Sequence, residues 1–163
     1  MAFEFDRENG FIKDKITGER CIIITQARMQ EIFSRLSEIF QSGATVIIYE
    51  AGKAAGRRFI SEISEVTKTN KEKILKTAVQ RFTDAGLGKI EIVDFNPEKA
   101  TITFRIWNNF FADIGNGEST YCSCIASFVS GMYEQIMSIT PKTRETECSA
   151  KGDPYCEWQM SPK

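Results

Sequence analysis

Apolar residues along the chain recur at two periods, and the places where the period changes divide it into elements. Short apolar runs at 11–13 and 21–24 flank the turn-rich Lys15-Ile16-Thr17-Gly18-Glu19, which predicts a hairpin. Thr25 then sits where a helix cap belongs, and Met29, Ile32, Phe33, Leu36, Ile39 and Phe40 follow at steps of three and four. That stripe predicts a helix with one core face, closed by Gly43. Residues 44–49 form an apolar, β-branched run expected to be a strand. It leads into a helix reaching about Val66, with Gly52 and Gly56 four apart on one face. A third helix is expected from Asn70 to Asp84, with Ile74, Leu75, Ala78, Val79 and Phe82 inward and Gly86 as its stop. Strands at 90–94 and 101–106 bracket Asn96-Pro97-Glu98. An aromatic but aperiodic stretch, 107–113, precedes a long helix whose buried stripe is Tyr121, Ile125, Phe128, Val129, Met132 and Ile136. A last hairpin pairs 142–150 with 155–160 around Lys151-Gly152-Asp153-Pro154. The sum is an α+β chain with helices packed on antiparallel strands, read as one domain over residues 1–163.

Composition narrows the chemistry. The chain has 163 residues, 42% hydrophobic, with a net charge of -1, so nothing draws it toward nucleic acid. Lys53, Arg57 and Arg58 read as a solvated helix face. The first ten residues resemble no targeting peptide and no apolar run approaches the roughly 20 residues of a membrane span, so the expectation is a soluble, cytoplasmic protein without membrane insertion. There are five cysteines and no histidine. Without an imidazole, a Ser-His-Asp or Cys-His nucleophile system, a histidine general base and a histidine-ligated haem are all excluded. Gly52 and Gly56 match neither the P-loop nor the dinucleotide-binding spacing, and read as small residues that let a neighbouring element approach closely.

The cysteines are the remaining chemical signal. With Gly152 at the hairpin tip, Cys148 and Cys156 are equidistant from it and oppose each other, with Cβ atoms about 4.5–5.5 Å apart. A zinc ion with bonds of about 2.3 Å bridges such a pair, and so does a disulfide. Further metal ligands are available in Cys122, Cys124, Glu145 and Glu147. Glu145 is an odd number of residues from Cys148, so a bulge or turn before Cys148 is needed for both to face one ion. Cys122 and Cys124 lie about 200° apart on the helix, so only one of them serves. Cys21, and whichever of that pair is spare, read as small buried apolar residues.

The ending Glu145-Thr146-Glu147-Cys148-Ser149-Ala150-Lys151-Gly152-Asp153-Pro154-Tyr155-Cys156-Glu157-Trp158 resembles the closing motif of the four-vinyl-reductase-like (vinyl-4-reductase) domain family, roughly E-x-x-C-x-A-x-G-D-x-x-C before an aromatic. With the cysteine-bearing helix and Gly52-x-x-x-Gly56, the resemblance covers residues 44–160. Residues 1–43 are left as an N-terminal hairpin and helix, a candidate dimerisation segment. The resemblance implies the fold of nitric-oxide-signalling and Golgi-transport ligand-binding domains, with helices on an antiparallel sheet and a pocket between. It implies a zinc ion held by Cys122, Glu145, Cys148 and Cys156, a homodimer, and a role in binding small hydrophobic molecules.

Aromatic residues between sheet and helix, Phe104, Trp107, Phe110 and Tyr121 with Phe111, are the candidate pocket lining. The family's phenol sensors hold a hydroxyl partly through a histidine, which this chain lacks, so phenol itself is not implied. A reductase acting on a vinyl group of a tetrapyrrole-like substrate is the alternative. Hydride transfer requires a nicotinamide or flavin site, and no phosphate-binding turn is present.

Overall fold

The computed structural model describes residues 2–114 and 122–163, in which two antiparallel sheets and five helices alternate along the chain. Strands β1 (Phe3–Asp6), β2 (Phe11–Asp14) and β3 (Arg20–Cys21) form an N-terminal sheet in that order. Helices α1 (Gln26–Phe40), α2 (Ser42–Thr67) and α3 (Lys71–Asp84) follow. Then come β4 (Lys89–Asn96), β5 (Thr101–Trp107), the short α4 (Phe110–Ile114), α5 (Cys122–Met137), β6 (Pro141–Glu147) and β7 (Cys156–Pro162). The second sheet has the order β4-β5-β7-β6. Its inner face is built by strict alternation: Ile102, Phe104 and Ile106 of β5 stand opposite Met160, Trp158 and Cys156 of β7, all buried. Helices α3 and α5 cover that face, joining Leu75, Phe82, Val129 and Met132 to one core.

Helices α2 and α5 pack so closely that their backbones touch. A Cβ at Gly56 would collide with the Phe128 carbonyl, and one at Gly131 with the carbonyl of Lys53. The glycine pair thus serves helix packing, as its spacing suggested. On the same contact Glu134 of α5 accepts from Lys53 at 3.0 Å and Arg57 at 2.6 Å. Burial pushes the Glu134 carboxyl up, but the hydrogen bonds from Arg57 and Lys53 outweigh it and hold the group below its ordinary value. The basic cluster is therefore not simply a solvated face: Lys53 and Arg57 face Glu134, while Arg58 bonds Glu62 and Glu19.

Three other expectations change. Residues 44–49 are not a strand but lie within the first turns of α2. Ala44, Ile48, Gly52, Gly56, Ile60 and Ile63 are its buried line, a helical spacing that overrides the β-branched composition. The α1 stripe is a core face only in part, Met29 and Phe33 packing against the core. Thr25 caps the helix as expected, yet none of its residues is buried, and Ile32, Ile39 and Phe40 are 47%, 57% and 47% exposed. The helix ends at Gln41 with φ 49°, and Gly43 belongs to α2. Finally, the N-terminal hairpin is a three-stranded sheet whose third strand stops at Cys21, leaving Ile22 and Ile23 exposed. Arg81 of α3, 3% exposed, anchors this sheet by pairing with Asp14 and lying 4.8 Å from the centre of the Phe3 ring.

Candidate metal centre

Cys122 opens α5, Cys148 follows β6 and Cys156 opens β7, so three separate elements each contribute one thiol. All three are buried, and their sulfurs lie within 4.8 Å of one another, with Cys148 Sγ 3.7 Å from Cys122 Sγ. A tetrahedral ion with metal–sulfur bonds of about 2.3 Å has sulfur–sulfur edges of about 3.8 Å, so this donor set suits zinc. All five cysteines are free thiols.

The local backbone explains the motif. Strand pairing shifts between Glu145 and Glu147, an irregularity of the kind that the odd spacing of Glu145 and Cys148 called for, and the ladder ends at Glu147↔Glu157, one residue short of the two cysteines. A 3-10 turn, Ser149–Lys151, replaces the end of the expected strand and closes at Gly152, whose φ of 103° suits glycine. The Asp153 carboxylate accepts from the Cys148 N–H at 2.8 Å, and the Cys148 carbonyl accepts from Lys151 N–H at 2.9 Å. The glycine and aspartate of the motif therefore shape the loop that presents Cys148.

Cys156 is the hydrogen-bond hub. Its sulfur accepts from the Asn109 side-chain amide and the Ser149 N–H, each at 3.4 Å, and lies 3.0 Å from Ser149 Oγ. The Cys122 thiol first, then Asn109 and Ser149, hold the Cys156 thiol below its ordinary pKa against the opposing effect of burial. Cys122 is pushed up by its bond to Cys156 and by burial, and burial also raises Cys148. The three thiols thus titrate as one hydrogen-bonded cluster, and metal uptake would release protons from it.

The remaining candidates lie outside that triad. Glu145 is near enough to raise the Cys148 pKa, and its carboxylate is 3.5 Å from Lys151 Nζ. Glu147 is the register partner of Glu157. Cys124 is half-buried, with burial pushing its thiol up to about 11. Cys21 is half-buried, its Sγ 3.6 Å from the Glu19 carbonyl. Asn109 and Ser149 carried no signal in the sequence: neither is a ligand type, and Asn109 is brought to Cys156 from 47 residues away.

The aromatic candidates among the described residues do not converge on one pocket. Phe104 is fully buried on the inner face of β5, while Trp107 lies on the other face, its ring centre 5.6 Å from that of Tyr155. Phe110 contacts Phe111, which stacks on Phe33 of α1 at 5.6 Å. Tyr121 lies outside the described residues. The hollows among the described residues include a groove of about 930 Å³ between α3 and β4 and a cavity of about 430 Å³ between the N-terminal sheet, α1 and α4.

No protein-family model matches the chain. Among curated proteins, the chain is similar to an uncharacterized protein of Methanocaldococcus jannaschii, 25% identical over 116 residues, 71% of this chain and 64% of that protein. It is also similar to the bacteriochlorophyll synthase 23 kDa chain of Cereibacter sphaeroides, 28% identical over 93 residues, 56% of this chain and 43% of that one. The match thus spans less than two thirds of either relative. Among solved structures, the phenol-responsive sensory domain of the transcription activator PoxR, with phenol bound, superposes with a TM-score of 0.82 at 18% identity, covering 99% of this chain and 85% of that one. A vinyl-4-reductase family protein of M. jannaschii gives 0.58 at 20% identity, over 86% of this chain and 83% of that one. A trafficking protein particle complex subunit 3 of Naegleria fowleri, covalently bound to palmitic acid, gives 0.54 at 10% identity, over 85% and 95%. The chain has the fold of these three, as the resemblance in its closing motif led one to expect.

Proposed function

We propose that the chain is a small-molecule-binding module of the sensory kind, in which one zinc ion, held by Cys122, Cys148, Cys156 and Glu145, fastens α5 to the β6–β7 hairpin. The observation that carries the reading is the convergence of three buried thiols from three elements inside the fold of a ligand-binding sensory domain. Four protein ligands close the zinc shell, which makes the ion structural; a catalytic zinc keeps a position for water. The resulting site is near a charge of -2, and Lys151 beside Glu145 is placed to offset part of it. In a reducing cytoplasm these thiols stay free to bind metal.

The ligand is a small hydrophobic molecule. Relatives of the same fold carry phenol and palmitate, and this chain's cavity beside the N-terminal sheet is largely apolar-walled. The module acts as a homodimer, a second copy covering Ile32, Ile39 and Phe40 of α1 with Val46 and Ile47 of α2, which are otherwise exposed. The similarity to a bacteriochlorophyll synthase chain favours the second reading, a tetrapyrrole-like vinyl reductase. Native mass spectrometry of the purified chain, before and after mild denaturation, separates the two. One zinc and a co-purifying apolar molecule support the binding module, whereas a bound flavin or nicotinamide nucleotide supports the reductase.

A further inference from the structure

We infer that the cavity between the N-terminal sheet, the strap at 22–24, α1 and α4 is a binding site for an uncharged apolar molecule of one to two rings. This rests on the reading of the chain as a small-molecule-binding module and names the place and class of the ligand. The cavity is about 430 Å³, within the range of about 300–1,000 Å³ that small-molecule sites occupy. Phe3 and Phe5 of β1, Met29 of α1, Leu87 after α3, and Phe110 and Phe111 of α4 wall it. Among the described residues Asp84 is the one charged residue on the wall, and its carboxylate is engaged by Gln80 at 2.8 Å and by Arg81 at 3.8 Å. Because α3 ends here, the negative end of its dipole disfavours an anion such as a carboxylate, while the charge of Asp84 itself is partly met by Arg81.

Two further observations favour this cavity over the larger groove. The groove between α3 and β4 is rimmed by Lys71, Glu72, Lys76, Glu91 and Asp94, which keep water close. At the cavity, by contrast, the rim is apolar: Ile22, Ile23 and Phe5 are 81%, 69% and 52% exposed, surface that a bound molecule would cover. The α4 wall is held in place from behind. The Phe110 N–H donates to the Leu87 carbonyl at 3.2 Å, Phe111 stacks on Phe33, and Asn109 bonds Cys156. The site is therefore built before the ligand arrives.

The test titrates naphthalene and, separately, 2-naphthoate into the full chain, following binding by the fluorescence of the probe. Saturable naphthalene binding is expected, at least tenfold tighter than that of naphthoate. Met29→Trp, which fills the cavity, should weaken naphthalene at least tenfold, and Val79→Trp, which fills the groove, should leave it unchanged. Ile23→Glu lies on the exposed rim, where folding tolerates a charge, and should also weaken naphthalene. Binding lost in Val79→Trp but kept in Met29→Trp and Ile23→Glu overturns this placement and leaves the broader reading standing. No saturable binding of naphthalene by the unmodified chain overturns both.

Discussion

The side-chain amide of Asn109 donates to the sulfur of Cys156 at 3.4 Å, while its own oxygen accepts from the Phe111 N–H at 3.1 Å. Asn109 is 1% exposed, so both ends of the amide are committed inside the protein. Partners that orient a metal ligand are typically worth ten- to a hundredfold in metal affinity. Asn109→Leu keeps the volume and removes the donor. Zinc affinity, measured by chelator competition, is expected to fall about ten- to a hundredfold. An unchanged affinity would mean that the bond does nothing for the centre.

Gly56→Ala places a methyl group against the Phe128 carbonyl, which is backbone and has nowhere to turn. Overpacking of this kind costs about 1–3 kcal/mol, sometimes more. In urea unfolding the midpoint should drop with little change in slope. A variant as stable as the original would show that α2 and α5 can move apart freely.

The pairing of Glu134 with Lys53 and Arg57 gives stability a pH dependence of known sign. The folded carboxyl is held below its unfolded value of about 4.3, so its contribution is present above that pH and is lost as pH falls through the lower, folded value. Glu134→Gln should cost about 1 kcal/mol at pH 7, in line with a partly exposed ion pair. The difference between the two proteins should close as pH drops below about 4. A gap that stays constant from pH 7 to pH 3 contradicts the assignment.

Ile39 lies on the exposed side of α1, within the surface assigned to a second copy. Ile39→Glu should convert a dimer to a monomer in analytical ultracentrifugation while leaving the circular dichroism spectrum intact. A monomeric parent protein at micromolar concentration would remove the dimer from the account.

Much of this was legible in the residues, for reasons that differ from place to place. The β4–β5 pair and α3 follow from period and stop signals, with Asn70 accepting from the Lys73 N–H as an N-cap does. The terminal loop was legible because Gly152 and Asp153 have backbone tasks that few other residues perform. Helix α1 misled because periodicity reports an apolar face without saying what covers it. The start of α2 misled because Val46 and Ile47 look like strand residues, while only Ala44 and Ile48 turn inward. Asn109 could not be found at all: its role depends on a contact across 47 residues, which no local pattern encodes.

The central claim is that Cys122, Cys148 and Cys156, with Glu145, hold one structural zinc. Native mass spectrometry of the purified chain and of its Cys148→Ser/Cys156→Ser variant tests it most directly, with thermal unfolding of the same samples. The account predicts one zinc per chain in the parent, none in the variant, and a loss of stability that accompanies the loss of metal. A variant that keeps one zinc per chain, or a parent that binds none when zinc is supplied in excess, would contradict it.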